Sequence, residues 1–252
     1  MAATWRASQR LMNMVWHILK GVRLAQSSFQ QLPPLQQHGV VQDWATQFLH
    51  TTGVQLRVLG APPVQGPVLL VANHQSWLDI PTLHAAQPCR FIAKAEIARW
   101  PWVGHLARAA GTLFVQRNVR RDTQRTMQAM VAALQQGDVL AVFPEGTTGN
   151  GRDLLPFHGN LLQAAIDAQV PVQPVALTFV DARSGAPSYL PCEAYLNEPM
   201  VRSLWRTLKQ AHLVAVVHYG EPEMAQGRDR RAWAQDLQAQ VQALRNHVVP
   251  KV

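Results

Sequence analysis

The stretch PVLLVANHQSWLDIP, residues 67–81, passes from an apolar run through a polar turn into a segment of helical character. Its first six residues are all apolar, which is typical of a strand in a sheet covered on both faces. The turn holds His74 and Asp79 with four residues between them. The stretch therefore predicts a strand, a turn and a helix, with two chemically versatile side chains just beyond the strand.

Six further runs also predict strands, and helical stretches lie between several of them. The strand runs are VQLRVL (54–59), CRFIA (89–93), GTLFVQ (111–116), VLAVF (139–143), VQPVALTFV (172–180) and LVAVVHY (213–219). The helical stretches are 78–86, 102–110, 122–136 and 160–168, followed by a last helix with an apolar stripe at Trp233, Leu237, Val241, Leu244 and Val248. This alternation predicts an α/β fold, with a mixed, largely parallel sheet flanked by helices.

Polar side chains follow four consecutive strand runs, at the point where each run ends. They are His74, Lys94, Arg117 and Glu145. In open α/β sheets, binding sites form outside the carboxyl ends of the strands. The spacing therefore predicts that these four side chains line one site at one edge of the sheet.

His74 and Asp79 leave three interpretations open. A carboxylate in the first helical turn can accept a hydrogen bond from the imidazole, fix its tautomer and leave the other nitrogen free to take a proton. Alternatively, Asp79 is a helix-capping residue, with Asn73 or Ser76 as the N-cap. A metal site could add His84 or His50, but the chain has no His-x₃-His or cysteine pair, and we expect no metal.

Two later segments could hold a phosphate group. Arg117, in FVQRNVRRD, ends a strand and could bind phosphate through two hydrogen bonds, although a solvated basic turn has the same pattern. FPEGTTGNGR, residues 143–152, predicts a tight turn whose backbone amides, with the hydroxyls of Thr147 and Thr148, could hold phosphate or hydroxyl groups. It is not a Walker loop, because no Gly-Lys-Ser/Thr follows.

The composition favours a polyanionic partner. The formal net charge is +8, and charged residues make up 15% of the chain, against roughly 25% in typical soluble domains. No motif of a nucleic-acid reader is present, so we expect anionic lipid or a phosphorylated substrate and no nucleic acid. The two cysteines, Cys89 and Cys192, form neither a disulfide framework nor a zinc motif. No apolar run reaches the roughly 18 residues of a spanning helix, so membrane contact would be peripheral.

Residues 1–50 are interpreted as an N-terminal helical membrane-associating segment, and residues 51–252 as the α/β domain. Plotted as a helix, the first stretch gathers an apolar side from Leu11, Met12, Val15, Ile18, Leu19 and Val22. The opposite side carries Arg6, Arg10, Asn13, His17 and Lys20. A basic amphipathic helix with Trp5 and Trp16 is typical of an interfacial membrane anchor. A helix docked on the domain with a solvated basic face has the same pattern, and the two interpretations are compatible.

Four blocks, taken together and in order, resemble the glycerolipid acyltransferase superfamily. They are Asn-His followed by Asp79, Gly-x-x-Phe-Val-x-Arg ending at Arg117, Phe-Pro-Glu-Gly-Thr at 143–147, and Val-Pro-Val-x-Pro-Val at 170–175. The segment 94–117 between them is also similar to that family, and the resemblance covers roughly residues 54–180.

The resemblance implies that His74 is the general base toward the acceptor hydroxyl and that Asp79 orients it. It implies an acceptor site with Arg117 on the phosphate, and it places Pro171 in the acyl-donor region. The substrate-binding residues expected on this basis are Lys94, Arg117, Glu145, Gly146, Thr147, Arg152 and His158. The acyl donor would be acyl-CoA or acyl carrier protein, and no cofactor is needed because a thioester is already activated.

The implied reaction converts lysophosphatidic acid to phosphatidic acid at the cytoplasmic face of the inner membrane. Two positions depart from the family pattern: Thr148 stands where Ser or Arg is common, and His158 stands where Lys is frequent. With these two residues, the loop resembles the branch of the family that acylates lyso-ornithine lipid. Lyso-ornithine lipid is therefore the alternative acceptor. An alternative of another class is a lipid-binding module without catalysis. This alternative is disfavoured because the family's site residues are all present, at His74, Asp79, Arg117 and Glu145.

Overall fold

The computed structural model of the chain describes residues 1–116, 120–192 and 199–248. Within these ranges seven strands form one sheet. They are β1 (Val54–Leu59), β2 (Val68–Ala72), β3 (Arg90–Lys94), β4 (Leu113–Val115), β5 (Val139–Val142), β6 (Val172–Asp181) and β7 (Leu213–Tyr219). Each of the seven predicted strands is present, which confirms the sequence pattern.

The sheet is mixed and mostly parallel, as predicted. The strand order is β1-β7-β6-β2-β5-β3-β4. The strands from β6 to β4 run parallel to their neighbours, whereas β7 is antiparallel to β6 and β1 is parallel to β7. The carboxyl ends of β2, β5, β3 and β4 therefore lie side by side at one edge.

Eight α-helices lie in the described ranges. They are α1 (Ala2–Gln26), α2 (Pro34–Thr52), α3 (Asp79–Ala86), α4 (Val103–Ala109), α5 (Arg120–Gln135), α6 (Gln163–Ala168), α7 (Met200–Lys209) and α8 (Arg230–Val248). The sequence pattern did not predict α7. Its sequence nevertheless has helical spacing, with apolar residues at Val201, Leu204, Trp205 and Leu208, while its buried face also includes Ser203 and Thr207.

Both faces of the sheet are covered, because alternate residues of β2 point into different cores. Leu69 and Val71 pack in the cluster that α5, α6 and α8 complete. Leu70 and Ala72 pack on the other face, with Leu83 of α3. This arrangement explains the unbroken apolar run that leads into the turn at residues 73–78.

Helix α1 docks on the domain through the side that the sequence pattern marks as basic. Arg6 and Arg10 donate hydrogen bonds to the carbonyls of Lys209 and Leu208 at the end of α7 (3.1 and 3.0 Å). His17 is buried, and its ring stacks on Trp44 of α2 with a centroid distance of 5.0 Å. The expectation of a solvated basic face is therefore wrong for these three residues.

The outer side of α1 exposes three large apolar side chains among polar residues such as Gln9, Asn13 and Lys20. Trp5, Met12 and Trp16 are 70%, 67% and 54% exposed. Among the helices within the described ranges, none is long and apolar enough to cross a membrane. The segment boundary near residue 50 stays a prediction, although Ala45 and Leu49 of α2 already pack in a core cluster of the sheet.

Candidate active site

The polar strand ends predicted from the sequence meet at one edge of the sheet. His74 follows β2, Glu145 follows β5, and Lys94 ends β3 level with Val115 of β4. Neighbouring strands lie about 4.8 Å apart, and β2, β5 and β3 are adjacent, so the three positions span only two strand spacings. Arg117, the fourth predicted residue, lies outside the described residues.

The imidazole of His74 and the carboxylate of Asp79 form a direct hydrogen bond. Nδ1 of His74 lies 2.8 Å from Oδ2 of Asp79. The same oxygen accepts hydrogen bonds from the backbone amides of Gln75 (2.7 Å) and Ser76 (2.8 Å). Asp79 is completely buried at the first residue of α3, where the helix dipole favours a negative charge. Asp79 thus orients the imidazole and also accepts hydrogen bonds from two backbone amides of the turn that carries it.

The turn is fixed to β6 by side-chain amides. Asn73 donates to the carbonyl of Leu177 (3.0 Å) and accepts from the amide of the same residue (2.7 Å). Gln75 donates to the same carbonyl (2.9 Å), and Ser76 donates to the carbonyl of Pro191 (2.8 Å). Helix α3 has no side-chain cap at Leu78, but Oγ of Ser76 accepts from the amide of Leu78 (3.2 Å), so Ser76 makes a capping contact as expected and Asn73 does not. Asn73 instead extends the pairing of β2 with β6.

Glu145 holds the main chain of His74. Its Oε1 accepts from the amide of His74 (2.6 Å), and its Oε2 accepts from the amide of Leu155 (2.9 Å). The amide of Gly149 donates to the carbonyl of His74 (2.7 Å), so the loop after β5 binds both main-chain groups of this residue. Burial raises the pKa of Glu145, and the hydrogen bonds from the His74 and Leu155 amides oppose that effect. The sequence predicted that Glu145 lies near His74 but not this contact.

Phe143 stacks on the imidazole of His74. The ring centroids are 4.1 Å apart and the planes differ by 13°. Phe143 also stacks on Phe91, whose ring meets the edge of His84. His84, a histidine near enough in sequence to be considered as a metal ligand, is thus separated from His74 by two aromatic rings. Sequence reasoning missed Phe143, because a phenylalanine that ends an apolar strand looks like an ordinary core residue.

The remaining residues of FPEGTTGNGR border the same turn. Gly146 has φ +72°, and its amide closes a tight turn by donating to the carbonyl of Phe143 (3.1 Å). A side chain is strained at such a φ, which explains the glycine. Thr147 is exposed beside it. Arg152 is also exposed, with its guanidinium 5.3 Å from the ring centroid of Tyr189.

His158 and Pro171 occupy very different places. His158 is exposed. Its amide donates to the carbonyl of Pro144 (3.0 Å), which holds the residue next to the turn. Pro171 precedes β6, and its carbonyl accepts from Leu69 near the start of β2. At about 3.3 Å per residue, Pro171 and His74 are roughly 20 Å apart along the strands. The structure therefore does not bring Pro171 to the edge that holds His74.

The chain is similar in sequence to known acyltransferases. Residues 53–178 match the family model described as Acyltransferase. A Pseudomonas aeruginosa protein named lyso-ornithine lipid O-acyltransferase is 38% identical over 198 residues, which cover 79% of this chain and 75% of that protein. A Neisseria gonorrhoeae protein named 1-acyl-sn-glycerol-3-phosphate acyltransferase is 37% identical over 192 residues, covering 74% and 73% of the two chains.

A solved structure shows the same fold over nearly the whole chain. The crystal structure of the 1-acyl-sn-glycerophosphate (LPA) acyltransferase PlsC from Thermotoga maritima superposes with a TM-score of 0.62 at 20% identity. The match covers 94% of this chain and 98% of that one. It therefore includes the helical N-terminal segment and α8, which lie outside the residues that the family model matches.

Proposed function

The chain belongs to the glycerolipid acyltransferase superfamily and is an enzyme of that type, and from this premise we propose that it acylates lysophosphatidic acid to phosphatidic acid. The observation that carries the proposal is the 2.8 Å hydrogen bond between Nδ1 of His74 and the buried carboxylate of Asp79. That contact fixes the tautomer and leaves Nε2 as the nitrogen that can take a proton. The imidazole is 18% exposed, so a substrate can reach it.

The proposed reaction needs one base and an activated acyl donor. His74 takes the proton of the acceptor hydroxyl while its oxygen attacks the thioester carbonyl carbon of acyl-CoA or acyl carrier protein. The tetrahedral intermediate collapses, the carbon–sulfur bond breaks, and the departing thiolate receives the proton from the imidazolium. Buried Asp79 carries the negative charge that stabilises the imidazolium in between. The chemistry requires no cofactor, because the thioester supplies the driving force.

The acceptor site is proposed at the exposed side of the same edge. Lys94, Arg152 and His158 are exposed there and could contact an anionic headgroup, together with Thr147 and Arg117. The net charge of +8 supports an anionic acceptor and an anionic membrane. A role for Pro171 in holding the acyl donor remains a prediction, since that residue lies at the other edge.

Lyso-ornithine lipid is a second candidate acceptor. The Pseudomonas aeruginosa relative carries that name at an identity similar to that of the Neisseria protein. In this chain His158 takes the position where a lysine is frequent in the family, and an imidazole holds a phosphate dianion less firmly than the ammonium group of a lysine. A headgroup without that phosphate would not need the lysine.

We further propose that the enzyme lies peripherally on the cytoplasmic face of the inner membrane. The exposed Trp5, Met12 and Trp16 of α1 would enter the interface. Lys20, whose Nζ lies 5.4 Å from the centroid of the Trp16 ring, would meet anionic headgroups.

The test is product analysis by mass spectrometry with purified enzyme, a panel of lysolipids and both acyl donors. We expect His74→Ala to lower turnover by about 10²- to 10⁴-fold, the usual contribution of a general base. Asp79→Asn should also be strongly impaired, because an amide cannot accept all three hydrogen bonds at one oxygen. His50→Ala, an exposed histidine on α2, is the matched control.

Each outcome separates the alternatives. Preference for lysophosphatidic acid supports the first candidate, and preference for lyso-ornithine lipid replaces it with the second. Binding of lysolipid without acyl transfer by the unmodified chain would instead identify a lipid-binding module. Turnover of His74→Ala equal to that of His50→Ala would refute general-base catalysis by His74.

A further inference from the structure

Arg245, near the end of α8, is a buried cation that lies outside the family-matched residues 53–178 in the sequence. Only 6% of its surface is exposed, although arginine is rarely buried without partners. Its Nη2 donates to the carbonyls of Gly151 and Arg152, the latter at 3.2 Å. Its Nη1 lies 3.4 Å from Oε1 of Gln242. The guanidinium thus binds the main chain of the loop that follows Glu145.

That loop, residues 145–155, lies between Arg245 on one side and His74 on the other. On the His74 side, Glu145 accepts from the His74 amide and Gly149 donates to the His74 carbonyl. On the other side, the loop is packed tightly at Gly151, where an added Cβ would lie 2.5 Å from Sγ of Cys192. Gly151 has φ +79°, so both its backbone conformation and its surroundings exclude a side chain.

We propose that Arg245 is a positioning residue for His74. Its guanidinium fixes the Gly151 and Arg152 carbonyls, and the loop transmits this constraint to both main-chain groups of His74. Charge-assisted hydrogen bonds from a planar guanidinium to two carbonyls define direction as well as distance. Loss of this restraint would let the imidazole drift from its reactive position, and misplacement by about 1 Å can cost about 10²-fold in rate. The catalytic part of this inference rests on the proposed function.

The kinetic test compares Arg245→Gln and Arg245→Lys with Arg231→Gln, an exposed arginine in the first turn of the same helix. We expect Arg245→Gln to lower kcat by about tenfold or more, with KM for the acyl donor within about twofold of the unmodified enzyme. Arg245→Lys should retain more activity, because an ammonium group can still bind a carbonyl. In Arg245→Ala, added methylguanidinium should restore part of kcat and methylammonium should not.

A second measurement does not depend on activity. Hydrogen exchange, followed by mass spectrometry on Arg245→Lys and Arg245→Gln, should show faster exchange in peptides containing Gly149 and His74, whose amides make the bonds described above. Peptides of β7 should keep their protection. If the unmodified chain transfers no acyl group, the proposed function fails while this result still decides the structural claim.

Three results would overturn the inference. One is unchanged exchange at Gly149 and His74 in Arg245→Gln. Another is a kcat for Arg245→Gln equal to that of Arg231→Gln in an enzyme that is active. A loss of kcat that merely follows the unfolded fraction, measured by circular dichroism, would equally reduce Arg245 to a general stability residue.

Discussion

His74 is restrained by three kinds of contact, one from the start of α3 and two from the segment that follows β5. Asp79 binds its Nδ1, Phe143 covers one face of its ring, and the loop 145–155 holds its amide and carbonyl. The side chain is still 18% exposed, which leaves room for a substrate to reach the ring. An imidazole fixed in this way loses little further entropy when it meets an acceptor hydroxyl, which favours general-base catalysis.

In the proposed reaction, the Phe143 ring should stabilise the imidazolium that His74 forms when it takes a proton. A cation over an aromatic face gains about 0.5–2 kcal/mol, and the rings here are 4.1 Å apart at the centroids. We expect Phe143→Leu, which keeps most of the volume, to lower kcat about three- to tenfold. Steady-state kinetics with saturating acyl donor would measure the effect.

Phe91→Leu is the control for this prediction. Phe91 stacks on Phe143 at 5.6 Å, whereas the ring stacked on His74 is that of Phe143. Both variants should lose similar packing, and thermal unfolding would verify that they do. Equal losses of kcat in the two variants would mean that packing alone, rather than contact with the imidazolium, explains the Phe143 effect.

At the scale of the elements, α1 shows that a sequence pattern can predict a helix without predicting which residues pack against it. Its two sides could be assigned from the spacing, but their neighbours could not. The carbonyls that Arg6 and Arg10 bind lie at the end of α7, about two hundred residues later in the chain. His17 likewise finds a stacking partner, Trp44, that no local signal indicates.

The orientation of α1 changes which residues should contact lipid. Val15 and Ile18 lie on the predicted apolar side but are half-buried, whereas Trp5 and Trp16 are exposed. We expect Trp5→Gln with Trp16→Gln to reduce binding to anionic vesicles by about tenfold or more, because buried tryptophan area is lost at the interface. Sedimentation with vesicles would measure the change.

Val64→Gln is the matched control, because Val64 is 93% exposed in the loop between β1 and β2. This variant should bind vesicles like the unmodified protein. Circular dichroism should show unchanged helix content in all variants, since none of the three side chains is buried. Vesicle binding that is indifferent to the tryptophan pair would leave α1 as a docked helix without lipid contact.

At the scale of the whole molecule, the parallel pairing of the central strands could be predicted from the sequence, whereas the antiparallel pairing of β7 with β6 could not. Strand runs alternating with helices predict parallel neighbours, which is what places His74 and Glu145 at one edge. The reversal between β6 and β7 depends on the connection through α7 and on pairing between residues distant in sequence. The sequence therefore predicted correctly which strand ends meet at this edge. The individual contacts there, such as that of Glu145 with the His74 amide, could be identified only in the structure.

Global stability should fall in mild acid because of His84, which is buried against Phe91. Burial lowers the pKa of His84 from 6.5 to about 4. Between these values the unfolded chain binds a proton that the folded chain does not, so the free energy of unfolding decreases as the pH falls. From about pH 7 to about pH 5 the loss is about 2 kcal/mol for this one group. Burial also lowers the pKa of His17, which adds in the same direction.

Urea unfolding at both pH values, in the unmodified protein and in His84→Leu, isolates the contribution of this group. The leucine variant should lose about 2 kcal/mol less between the two pH values, because its buried side chain cannot bind a proton. His50→Gln, in which an exposed histidine is removed, should keep the acid sensitivity of the unmodified protein. If His84→Leu retained the full acid sensitivity, the decisive protons would be taken up elsewhere, and His17 would be the next residue to replace.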